Sequence, residues 1–113
     1  MTAAVYNLVI DQGSDFAIDL TIKEFGSAKD LSGYAARAQM RSTRTASSVA
    51  ASFVCAVQDP VANGVVKMSL PNGVSSAIAP GRYFYDLEIH TTNNAVVRRL
   101  IQGEVTLNPE VTR

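Results

Sequence analysis

The run from Asp15 to Lys23 constrains this chain most. Phe16, Ile18, Leu20 and Ile22 alternate with Ala17, Asp19, Thr21 and Lys23. A period of two puts the four large apolar side chains on one side of an extended strand and the polar ones on the other. A helix would scatter the same four around its circumference. The segment therefore reads as a strand with one buried and one wet face, and the partner surface that buries it must be found elsewhere in 113 residues.

The same period recurs. Val5–Ile10 is a short first strand, closed by Asp11-Gln12-Gly13-Ser14, all turn formers. Tyr34–Arg41 sets Tyr34, Ala36, Ala38 and Met40 against Arg37, Gln39 and Arg41. Ala51–Val57 and Gly64–Leu70 follow. Arg82–Thr91 sets Tyr83, Tyr85, Leu87 and Ile89 against Asp86, Glu88 and His90. Ala95–Leu107 places Val97, Ile101, Val105 and Leu107 inward and Arg98, Gln102 and Glu104 outward. With the opening run this makes seven strands. Turn formers separate them: a hairpin-like connection at Phe25–Asp30, the Asn63-Gly64 step that supplies positive φ, and Thr92-Asn93-Asn94. Ser42–Ser52, rich in Ser, Thr and Ala with Arg44 inside it, reads as a mobile loop. Asn72–Ala79 carries apolar residues at helical spacing and is expected to form one helical turn crossing between sheets, ended by Pro80-Gly81. Strands so spaced argue for a sandwich or barrel. The expectation is all-β: one domain over residues 1–113, an immunoglobulin-like sandwich of about seven antiparallel strands.

Composition narrows function. Ten acidic side chains balance ten basic ones, so the excess of Lys and Arg that marks nucleic-acid binders is missing. Neutrality also favours association. Cys55 is the one cysteine, which excludes an intrachain disulfide. No run reaches the length of a membrane-spanning helix, and the first residues lack the pattern of a signal peptide, so synthesis in the cytoplasm is expected.

Catalysis has few candidates. His90, the single histidine, sits on a polar strand face, where solvation is the ordinary reading. Cys55 falls in an apolar alternation and reads as a small core residue. Asp11, Asp15 and Asp19 bracket a glycine but lack the further oxygen ligands of a calcium loop. Asp86 and Glu88 share a strand face without the cleft a glycosidase needs. No zinc spacing or glycine-rich phosphate loop is present. The expectation is no catalytic residue, no metal and no cofactor.

The arginines and aromatics of the later strands are read instead for structure and for contacts. Arg98 falls on the polar face, with Glu88 or Asp86 as its expected cross-strand partner. Arg99 falls on an otherwise apolar face, which marks either a β-bulge or a surface completed by a partner. Arg37 and Arg41 share one face of their strand and are candidates to meet partner carboxylates. Tyr83 and Tyr85 read as core, and Pro80-Gly81-Arg82-Tyr83 has the form of a tyrosine corner. Phe84, on the opposite face, is the better interface candidate.

Three segments carry a family resemblance: Asp11–Phe16; Asp30–Arg41, reading DLSGYAARAQMR; and Pro80–Glu88 together with Gly103–Thr112, reading PGRYFYDLE and GEVTLNPEVT. Their order resembles small immunoglobulin-like structural proteins of tailed bacteriophages and, more loosely, the N-terminal domain of phage baseplate upper proteins. The resemblance spans nearly the whole chain. It implies a virion component of the tail, baseplate or fibre connection, present in several copies and contacting other virion proteins, with neither nucleic acid nor membrane as partner. A capsid decoration protein and a carbohydrate-binding module are the alternatives. The expected interface residues are Phe84, Arg99, Arg37, Arg41, Pro109, Val111 and Arg113, with the first strand and the C-terminal segment reaching neighbours through sheet-edge pairing.

Overall fold

The protein is described by a computed structural model covering residues 4–111. Its strands are β1 (Ala4–Val5), β2 (Leu8–Asp11), β3 (Phe16–Thr21), β4 (Lys23–Glu24), β5 (Ser27–Ala28), β6 (Tyr34–Arg41), β7 (Ala51–Val57), β8 (Val65–Leu70), β9 (Gly81–Thr91) and β10 (Val97–Asn108). One helical turn, α1 (Asn72–Ser75), joins β8 to β9, inside the stretch where the spacing expects it. The fold is all-β, and β6 and β7 begin and end where the alternation does.

Strand order explains how the alternating faces are buried. The first sheet runs β10-β9-β6, with β1 and β2 on the outer side of β10. β7 then serves two sheets. Ala51–Phe53 pair with β6, whereas Val54–Val57 pair with β8, which in turn pairs with β3. Passing through β7 turns the chain from one sheet into the other. Both sheets send their apolar faces into one core: Leu20 from β3, Val66, Met68 and Leu70 from β8, Tyr85, Leu87 and Ile89 from β9, Val105 and Leu107 from β10. Phe53 stands at the joint and meets Phe16 and Tyr85 edge-on, with ring centres 6.3 and 6.1 Å away. The strands follow one continuous path, β1-β10-β9-β6-β7-β8-β3, that wraps this core.

The tyrosine corner is present. Tyr83 Oη donates to the Ala79 carbonyl four residues upstream, and the ring is buried. The turns also take the backbone that their residues anticipate: Gly64 and Asn94 both have positive φ, at 69° and 57°.

Three departures have local causes. First, the Val5–Ile10 strand is broken. Tyr6 N–H still bonds to the Gln102 carbonyl, but at the next position the Asn7 side chain, not its backbone, accepts the Glu104 N–H at 3.0 Å. β1 and β2 run parallel to β10, not antiparallel as expected. They lie far from β10 in sequence, so no short hairpin dictates their direction. Second, β4 and β5 form a two-residue hairpin around Phe25-Gly26, so the alternating run from Asp15 belongs to two strands, not one. Third, β10 slips. Arg99 faces Glu88 and Ile101 faces Leu87, leaving Leu100 as an extra residue. This bulge turns Leu100 into the core and leaves Val97, expected inward, on the surface. The bulge reading of Arg99 is realised.

Candidate binding face

The outer surface of the first sheet gathers most of the singled-out residues. Register sets them in rows across three strands. Glu88 on β9 lies between Arg37 on β6 and Arg99 on β10; Asp86 lies between Gln39 and Gln102; Phe84 lies between Arg41 and Glu104. Phe84, Arg99, Arg37 and Arg41, four of the seven expected interface residues, thus share one face.

Cross-strand ion pairs cover much of its charge. Arg37 Nε lies 2.5 Å from Glu88 Oε1, Arg99 Nε lies 3.1 Å from Asp86, and Arg82 Nε lies 3.8 Å from Glu104. Arg37 was a candidate for a partner's carboxylate; here its partner is the chain's own Glu88. The bulge also redirects Arg98. It reaches Glu24 on β4 at 3.5 Å, not Glu88 or Asp86, because the slipped register gives Arg99 the place beside those carboxylates. Such exposed pairs contribute little stability, at most about 1 kcal/mol each.

Residues 42–50 are irregular, as expected, yet they lie against this face. Arg41 Nη1 donates to the Ala46 carbonyl at 3.0 Å and Nη2 donates to Gln39 Oε1 at 3.2 Å. The Arg44 guanidinium sits 5.0 Å from the centre of the Phe84 ring, a cation–π contact. Among the described residues neither Arg41 nor Arg44 has a carboxylate partner. Together they wall a shallow depression of about 340 Å³. Phe84, Asp86, Gln39, Gln102 and Arg99 also line it. The Ser/Thr/Ala-rich loop hid the part played by Arg44; only an arginine near an outward-facing aromatic hinted at it.

Pro109 and Val111 stand apart from these rows. β10 ends at Asn108, immediately before the proline that has no N–H to give. The next N–H, of Glu110, donates to Gln12 Oε1 at 3.0 Å, so the segment is tied back to the chain's own Gln12 turn while Val111 remains exposed. Arg113 lies outside the described residues.

The remaining candidates have structural surroundings. His90 Nδ1 lies 3.2 Å from the carbonyl of Thr91. Cys55 is half-buried, and burial pushes its thiol up to about 11. Asp15 Oδ1 accepts both the backbone and side-chain N–H of Asn72, holding the start of α1. Asp11 accepts from Asn108 Nδ2 at 3.3 Å, and Asp19 lies opposite Lys67. No group of three or more His, Cys, Asp or Glu side chains is placed to hold a metal among the described residues. One residue was read only as the start of a connection. Phe25, at the tip of the β4–β5 hairpin, is 98% exposed with φ of 54°.

No family model matches the sequence, and neither does any curated protein. Solved structures give a likeness of fold alone. InlP of Listeria monocytogenes is similar over 91% of this chain, at 17% identity and a TM-score of 0.50. The chain spans about a quarter (26%) of InlP. CopC of Methylosinus trichosporium OB3b is similar at 11% identity and a TM-score of 0.48, over 98% of this chain and 90% of that one. The extracellular domain of a voltage-gated sodium channel beta4 subunit is similar at 11% identity and a TM-score of 0.35, over 100% and 91%.

Proposed function

We propose that this chain is a non-enzymatic structural protein of a tailed-bacteriophage virion, a tail, baseplate or fibre-connecting component that joins other virion proteins. The observation that carries the reading is the convergence of Phe84, Arg37, Arg41 and Arg99 on one outer sheet face. An aromatic residue and several arginines on one face are a composition that protein interfaces favour. The order of the Asp11–Phe16, Asp30–Arg41 and Pro80–Glu88 segments supports the phage setting by resemblance. Several copies in a symmetric particle would multiply a weak contact into a durable one.

The test is assembly. A Phe84→Ala, Arg99→Glu double variant keeps every core residue, so it is expected to fold yet be depleted from particles. Normal incorporation of that folded variant would remove the reading. A particle reconstruction that located the chain on the capsid surface would replace it with the decoration role. Phe84 beside the Gln39 and Gln102 amides also favours a second reading, a carbohydrate-binding module. Calorimetric titration with host-surface polysaccharides decides it, and absence of heat with every glycan would remove it.

A further inference from the structure

The charges on the outer face do not balance locally, although those of the chain do. Arg37, Arg99 and Arg82 are each matched by a carboxylate of the same face. Arg41 and Arg44 are left over, and both line the depression. An unmatched pair of guanidinium groups beside a concave surface is an attractive site for an anion.

The two groups are also held with their donors free. Arg41 uses one N–H on the Ala46 carbonyl and one on Gln39 Oε1, out of five. Arg44 lies over the Phe84 ring, and a stacked guanidinium keeps its donors available around its edge. Both side chains are thus partly ordered before any ligand arrives, which lowers the entropy cost of binding.

We propose that the depression binds carboxylate side chains: it docks an acidic, extended segment of a neighbouring protein, with Arg41 and Arg44 as the anion-holding groups. The proposal rests on the reading of this face as an interface and names the chemistry of its partner. Size and charge select the occupant. A volume of about 340 Å³ admits one or two side chains. Asp86 and Glu88 border the same depression, so a polymer whose carboxylates are fixed rigidly to its backbone meets repulsion there. The carboxylates of a peptide sit at the ends of flexible side chains, which turn toward Arg41 and Arg44 and away from Asp86 and Glu88. The Gln39 and Gln102 amides offer the neutral donors and acceptors that a peptide backbone needs.

The experiment follows backbone amide resonances of the intact, isotope-labelled protein during titration with hexaglutamate, hexaglutamine or polygalacturonate. Hexaglutamate is expected to shift Gln39, Arg41, Arg44, Phe84 and Gln102, with an affinity that falls as salt is raised. Hexaglutamine should leave them in place. Arg44→Gln should weaken hexaglutamate binding about tenfold, the loss expected for one charge-assisted hydrogen bond. Arg41→Gln with Arg44→Gln should abolish it while the unfolding midpoint stays close to that of the parent. No shift with hexaglutamate, equal shifts with hexaglutamine, or undiminished binding by the double variant would each overturn the proposal. Binding of polygalacturonate in place of hexaglutamate would overturn it in favour of a glycan. The assembly test separates the two levels. If Phe84→Ala, Arg99→Glu protein fails to enter particles while hexaglutamate moves no resonance, the interface stands and its acidic partner falls. If that variant assembles normally while hexaglutamate binds, the site stands and the virion role falls.

Discussion

The Tyr85 hydroxyl donates to the main-chain carbonyl of Tyr6 at 2.5 Å, tying the second-longest strand to the break between β1 and β2. The bond passes over Gly103, the residue paired with Tyr85 on the intervening strand. Replacing Tyr85 with Phe keeps the ring but leaves that carbonyl without its hydroxyl partner, and is expected to cost about 1–3 kcal/mol in denaturant unfolding. The same variant carries a pH signature. Burial, and secondarily the nearby Tyr6 phenol, raise the Tyr85 phenol well above its ordinary 10.0. The folded state therefore keeps a proton that the unfolded state loses. This contribution is whole below pH about 10 and declines as pH rises beyond it. The parent should lose stability above pH about 10 more steeply than Tyr85→Phe; equal slopes would contradict the assignment.

Gly103 and Gly13 should respond differently to alanine. A Cβ on Gly103 would stand 2.3 Å from the Tyr6 carbonyl oxygen, a backbone atom held by Tyr85. A Cβ on Gly13 would meet the Glu110 carboxylate, the free end of a flexible side chain, although φ of 84° adds strain there. Gly103→Ala is expected to lose about 2–4 kcal/mol and Gly13→Ala about 1 kcal/mol. Thermal unfolding of the two variants side by side gives the order.

Cys55 should be a slow thiol. Its thiol is raised to about 11 by burial, so little thiolate exists near neutrality. Reaction with an aromatic disulfide reagent at pH about 8 should be far slower than for a free cysteine and should become fast in denaturant. Rapid reaction of the native protein would show that the strand pair covering Cys55 opens readily.

Phe25 and Gly26 both have positive φ, the geometry of a hairpin turn in which Asn-Gly is preferred. A bulky aromatic residue fits that backbone poorly. Phe25→Asn is expected to raise stability by about 0.5–1 kcal/mol, read from the shift in denaturant midpoint. A fall would mean that the exposed ring makes a stabilising contact with the rest of the chain.

The all-β class was legible because period two survives in nearly every strand; β6 and β7 were bounded correctly from alternation alone. The Tyr83 corner was legible because its partner lies four residues away. Arg99 announced the bulge by standing on the wrong face. Its consequences, Leu100 turning inward and Arg98 reaching Glu24, depend on a register that a single strand does not reveal. The break in the first strand was hidden for the same reason, since it rests on Asn7, Tyr85 and Gly103 meeting from distant parts of the chain. The four face residues were each named from their own strand, but their convergence and the contact of Arg44 with Phe84 belong to tertiary structure.

The parallel run of β1 and β2 beside β10 also sets how the domain would bear tension. Ala4 lies opposite Ile101 and Asn108 opposite Asp11, so the two points lie about 23 Å apart along β10. A pull between them slides the two sides of the ladder past one another. The hydrogen bonds between Leu8–Asp11 and Val105–Asn108 are then strained together, in shear, and must yield at once; an antiparallel hairpin in the same place would unzip bond by bond.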